Sequence, residues 1–192
     1  MKKILCAFAL TLLLVACAAD EPAPVKQDVD LSPKINLDVL TVVVIDRSDS
    51  LLGATPYATN NFQPTIANAM RQWATSKLIA VGTTGEAIVV IRDASLKSEP
   101  LHHTDDMFTR QQTSKYVGHA ELEIDVSGRE GHGQVLADAS YFDTLPEEPT
   151  VLERQNAYTT LLNALMRDLS NNVRGGVRDH LGAFVVTAPL VP

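Results

Sequence analysis

From Tyr116 to Val126 the residues sort with period two into an apolar and a largely charged set. Tyr116, Gly118, Ala120, Leu122, Ile124 and Val126 fall on one face of a strand, and Val117, His119, Glu121, Glu123 and Asp125 on the other. Such a strand needs cover on one side only, and its charged side should meet water or a partner. Val39 to Ile45 behaves differently: it is β-branched and apolar throughout, bounded by Asp38 and Asp46, which predicts a central strand buried on both faces. Ile66, Met70 and Trp73 recur at helical spacing behind Pro64, predicting a helix from Pro64 to about Leu78. Trp73 and Met70 should be buried against the face that holds Leu122 and Ile124. Ala87 to Ile91, extending as far as Leu96, predicts a second strand, and Val135, Ala137, Ala139 and Tyr141 a fourth, after a glycine-rich turn over Gly128 to Gly133.

Thr150-Val151-Leu152-Glu153 is a capping box, in which the threonine oxygen accepts an early helical amide while the glutamate reaches back. Behind it Tyr158, Leu161, Leu162, Leu165 and Leu169 form the apolar stripe of a second helix, beside Arg154, Asn163 and Arg167 as exposed positions. Gly175-Gly176 should weaken or kink it, and Gly182 end it. Ala183 to Val186 can dock on the core. The elements in order βαβββα predict an α+β, two-layer domain over residues 39–186, a mixed four-stranded sheet with two helices on one face, and a loose tail over 187–192. A right-handed crossover through the first helix makes the first two strands parallel. The connection from Arg47 to Gln63 is long for a compact domain.

Ahead of the domain, Lys2 and Lys3 precede an uncharged apolar run, Ile4 to Leu14, too short to span a bilayer and ended by Ala18, Ala19, Asp20 and Glu21. Leu14-Val15-Ala16-Cys17 then resembles the bacterial lipobox. That resemblance implies a signal peptide over 1–16, cleavage before Cys17 and lipid on its sulfur. More than one acyl chain anchors a protein stably. Residues 17–38, with Pro22, Pro24 and Pro33, are expected to be a flexible tether whose last part Leu31, Ile35 and Leu37 are able to dock. Ala18 and Ala19 follow the cysteine where inner-membrane retention favours aspartate, so by resemblance the expected place is the outer membrane, facing the periplasm.

Composition narrows the partners. The whole chain carries a formal charge of −7, and loss of Lys2 and Lys3 leaves 14 Lys and Arg against 23 Asp and Glu, a balance of −9. Acidity of this order opposes binding to nucleic acid, which relies on Lys and Arg, and attraction to anionic lipid heads. Of the two cysteines, Cys6 leaves with the signal and Cys17 is acylated, so neither a disulfide nor a zinc site is expected. Signal, proline-bearing tether and element order together resemble small outer-membrane lipoproteins of the LPS-assembly lipoprotein type. The resemblance implies a non-catalytic binding or scaffold subunit of an envelope complex concerned with lipid transport or cell-wall material, without a cofactor.

Three constellations bear chemistry. Asp46, Ser48 and Ser50 resemble the Asp-x-Ser-x-Ser start of the metal-ion-dependent adhesion site of von Willebrand A domains, since a carboxylate and two hydroxyls are hard ligands for a divalent cation. The alternative function is thus a cation-dependent ligand-binding module, the bland one a strand end whose Asp and Ser satisfy nearby amides. His102, His103, Asp105 and Asp106 carry ligand-type side chains, but without a second cluster they fit a solvated connection. His119, Glu121, Glu123 and Asp125 lie side by side, and their repulsion must be relieved by solvent, a cation or a basic partner. There is no Gly-x-Ser-x-Gly elbow and no Gly-rich loop followed by lysine, and no enzyme activity is expected.

Overall fold

The computed structural model describes residues 23–28, 30–48, 62–101 and 112–187. In chain order the elements are β1 (Ile35–Leu37), β2 (Thr41–Asp46), α1 (Ile66–Lys77), β3 (Leu78–Ala80), β4 (Glu86–Pro100), β5 (Gln112–Gly128), β6 (Gly131–Pro146) and α2 (Val151–His180), followed by a 3-10 turn at Gly182–Phe184. The mixed sheet has the order β2-β4-β5-β6, with β2 parallel to β4 and the remaining pairs antiparallel. Helix α1 packs on β2 and β4, and α2 on β5 and β6. The fold is the expected α+β arrangement, two helices over one face of a four-stranded sheet.

The alternation read in β5 is what attaches the sheet to its helices. Ala120, Leu122, Ile124 and Val126 are buried together with Val135, Ala137 and Ala139 of β6, while the intervening residues stay half-exposed or exposed. Helix α2 covers them with Tyr158, Leu161, Leu162, Leu165, Leu169, Val173 and Val177, all buried, each side chain stabilising the fold by about 1.5–3 kcal/mol relative to exposure. Trp73 and Met70 lie in the same core as Leu122 and Ile124, as their spacing predicts.

Both bonds of the capping box form: Glu153 N–H donates to Thr150 Oγ1 at 3.1 Å, and Thr150 N–H to Glu153 Oε2 at 2.7 Å. Helix α1 starts later than expected, at Ile66, because Thr65 supplies the side-chain oxygen that caps it, accepting from Asn68 N–H at 3.2 Å. Pro64 stands just outside.

Three expectations are corrected. The apolar run at 39–45 is not a central strand buried on both faces: β2 is an edge strand, with Val43 39% exposed, and Leu40 just before it is 60% exposed. The centre belongs to β4 and β5, whose hairpin is far longer and pairs over most of its length. Helix α2 continues through Gly175-Gly176 without a break. It does so because a side chain at Gly176 would meet Val135 Cγ1 at 2.6 Å, so the glycine permits close packing on β6 where unbroken core contacts outweigh its poor helix propensity.

The domain also begins before Val39. Strand β1 pairs in parallel with β3, and the C-terminal segment closes over it through Asp38 N–H to Phe184 O at 2.8 Å and Val186 N–H to Asn36 O at 2.9 Å. Ile35, Leu37 and Phe184 are buried there, whereas Leu31 is 89% exposed. The two strands escaped the sequence pattern because three residues are too few to display an alternation of period two.

Candidate interaction face and anchoring segment

The stretch preceding β1, expected to be free tether, is held on the described side of Ala23. Pro24 fixes extended backbone in itself and in the residue before it, which suits a segment laid along a helix. Asn156 of α2 clips the segment with both ends of its amide: Val25 N–H donates to Oδ1 at 2.8 Å and Nδ2 donates to Ala23 O at 3.0 Å. One heptad further, Asn163 repeats the clip, accepting from Asp28 N–H at 3.0 Å and donating to Lys26 O at 2.9 Å. The spacings match, since seven helical residues rise about 10.5 Å and three extended residues cover about the same length.

The next fixture is Asp30. Its Oδ2 accepts from Trp73 Nε1 at 3.0 Å and Ser170 Oγ at 3.4 Å, and Lys77 Nζ stands 3.6 Å away while donating to the Asp30 and Ser32 carbonyls at 2.7 Å each. Burial works to raise the Asp30 pKa, but hydrogen bonds from Ser32 and Trp73 and the charge of Lys77 outweigh it and hold the carboxyl below its ordinary value. Arg174 completes the strap by donating to Ser32 Oγ at 2.6 Å and to the Pro33 carbonyl. Asn163, expected to be exposed, is half-buried beneath this segment. The signal that would have found the strap is the polar heptad Asn156, Asn163, Ser170 beside the apolar stripe.

On the far side of the sheet His119, Glu121, Glu123 and Asp125 form the expected row. Their repulsion is relieved within the chain. A register shift between Ile91 and Asp93 places Arg92 over the row, where it pairs with Glu121 at 3.1 Å and Glu123 at 2.6 Å. The Arg92 hydrogen bond is the largest influence on Glu123 and, with one from Gln134, holds its carboxyl below the ordinary range. His119 Nε2 lies 4.0 Å from Asp93 and His132 Nε2 3.9 Å from Asp125, ion pairs only when the imidazoles are protonated. Cross-strand neighbours add apolar surface: Glu123 pairs with Leu136 and Val117 with Phe142, and both apolar side chains are 59% exposed. Among the described residues no helix lies on this face.

Asp46 and Ser48 sit at the end of β2. Asp46 Oδ1 accepts from the Ser48 amide at 3.0 Å and its hydroxyl at 2.7 Å, and Oδ2 accepts from Arg71 at 2.7 Å. Both carboxylate oxygens are thus engaged, and the positive charge beside them is the Arg71 guanidinium of α1. Ser50, the histidines His102 and His103, Asp105, Asp106 and Cys17 lie outside the described residues. Among those described, no three His, Cys, Asp or Glu side chains are grouped to hold a metal ion, and no helix is long and apolar enough to cross a membrane.

No family model and no curated protein matches the chain. The chain resembles rare lipoprotein B from Shewanella oneidensis. The match has 6% sequence identity and a TM-score of 0.39, and covers 72% of this chain and 95% of that one.

Proposed function

We propose that the protein is a lipid-anchored lipoprotein of the bacterial cell envelope, placed in the outer membrane facing the periplasm. It acts as a non-catalytic binding or scaffold subunit, presenting the free face of its sheet to another envelope protein. The anchor rests on Leu14 to Cys17 behind their apolar run, and the observation that carries the docking role is the uncovered face of β4, β5 and β6. There Leu136 and Phe142 stand exposed beside an acidic row. Two exposed apolar side chains, about 20 Å apart along β6 with Asp138 between them, suit a protein partner that brings basic and apolar groups. Burying Leu136 and Phe142 against such a partner supplies affinity, and Glu121, Asp125 and Asp138 set which partner is accepted.

The experiment is photo-crosslinking in intact membranes, with the reactive side chain at His119, at Leu136 or, on the solvent side of α2, at Arg167. The same envelope protein should be captured from positions 119 and 136 and not from 167. Capture from 167 alone moves the partner to the helical layer and refutes the assignment of the face. Labelled palmitate should be incorporated by the wild-type chain and lost in Cys17→Ser; persistence of label in that variant refutes the anchor.

A further inference from the structure

We propose that the end of the domain at the start of α2 is its membrane-facing surface, and that the strap on α2 holds it against the bilayer. The proposal rests on the acylation of Cys17 argued above. Five residues lie between Cys17 and Ala23, where the Asn156 clip takes hold, so at most about 20 Å of extended backbone lies between the lipid and the domain. Were the segment free up to β1, seventeen residues would intervene and the reach would be about 60 Å, enough for the domain to turn over.

Direction follows from which end is clipped. The strap runs parallel to α2, from Ala23 at Asn156 through Asp28 at Asn163 to Ser32 at Arg174, so it enters at the helix N-terminus. Val151 and the ends of β4, β5 and β6 at Pro100, Gln112 and Pro146 share that end. The opposite end carries the β5–β6 turn at Arg129 and Glu130, beside the C-terminus of α2, where Gly133 approaches Leu181 and His180. Thirty helical residues put about 45 Å between the two ends.

The near end carries both signs, Glu148 and Glu153 beside Lys26 and Arg154, so the short tether, and not a net electrostatic attraction, keeps that end down. The turn at Arg129 and Glu130 then projects furthest from the membrane. The uncovered face of the sheet, with its acidic row, stands along the membrane normal and remains reachable from the side.

The test uses the processed full chain reconstituted in vesicles of phosphatidylethanolamine and phosphatidylglycerol with an acceptor dye on a fraction of the headgroups. A donor dye is placed on Val151→Cys or Glu130→Cys, the introduced cysteine being the free thiol once Cys17 is acylated. Energy transfer to the membrane should be several-fold greater from position 151 than from 130. The difference should shrink when Asn156→Ala and Asn163→Ala release the strap. Equal or reversed transfer in the protein with intact clips, while palmitate remains on Cys17, overturns the orientation and leaves the anchor standing. A difference unaffected by the double alanine change overturns the role of the strap. Absence of palmitate from Cys17 removes the anchor, and this proposal with it.

Discussion

Gly175 and Gly176 are adjacent in one helix, yet the same substitution should stabilise the fold at the first and not at the second. A Cβ at Gly175 meets nothing within 4 Å, so Gly175→Ala should collect the ordinary helix gain of about 0.8–1.0 kcal/mol. A Cβ at Gly176 would stand 2.6 Å from Val135 Cγ1. Val135 is 2% exposed on β6 and β-branched, so its side chain has little freedom to rotate away. Overpacking of this kind costs about 1–3 kcal/mol, which offsets or exceeds the helix gain.

The helix term is common to both variants, so the difference between them isolates the contact. At about 2–4 °C per kcal/mol for a chain of this size, Gly175→Ala should melt a few degrees above the parent and Gly176→Ala at or below it. Thermal melts and urea midpoints of the chain from Ala18 onward provide the comparison. If Gly176→Ala is stabilised as much as Gly175→Ala, the helix does not lie close on β6, and the account of why α2 survives its glycines fails.

Two further outcomes are expected. Trp73→Ala removes a side chain that is 5% exposed and leaves Asp30 without the indole donor, and should cost about 3–5 kcal/mol in urea unfolding; a loss below 1 kcal/mol would contradict its place in the core. Because the folded-state pKa of Asp30 lies below its ordinary value of 3.8, its contribution is present above that value and is lost as pH falls through the lower folded one. Stability and Trp73 emission should therefore change on acidification below about pH 4, and Asp30→Asn should flatten this part of the profile; an unchanged slope would show that the carboxylate does not secure the strap.

The acidic row was legible in the sequence because alternation in β5 is a local property, fixed by strand geometry whatever the partner strand. The capping box and the stripe of α2 were legible for the same reason: their contacts close within four residues or lie on one helical face. The discharge of that row by Arg92 was not legible. It depends on a register shift between Ile91 and Asp93 that the residues of β4 do not announce. Asp46 offered a cation ligand by type, and only the packing of α1 against β2 brings Arg71 to it, 25 positions along the chain.

By itself, then, the sequence determined the types of the longer elements, the buried face of β5 and β6, the first turn of α2 and the lipobox pattern at Cys17. The tertiary structure decided where each element sits. An apolar β-branched run is equally at home at the centre or at an edge, and the longer β4–β5 hairpin displaced β2 to the rim by offering more paired backbone. The proline-bearing stretch before β1 lacks an apolar face of its own. It is ordered through backbone amides and carbonyls met by Asn156, Asn163 and Lys77, groups whose partners are set by the surface they reach and not by their neighbours in the chain.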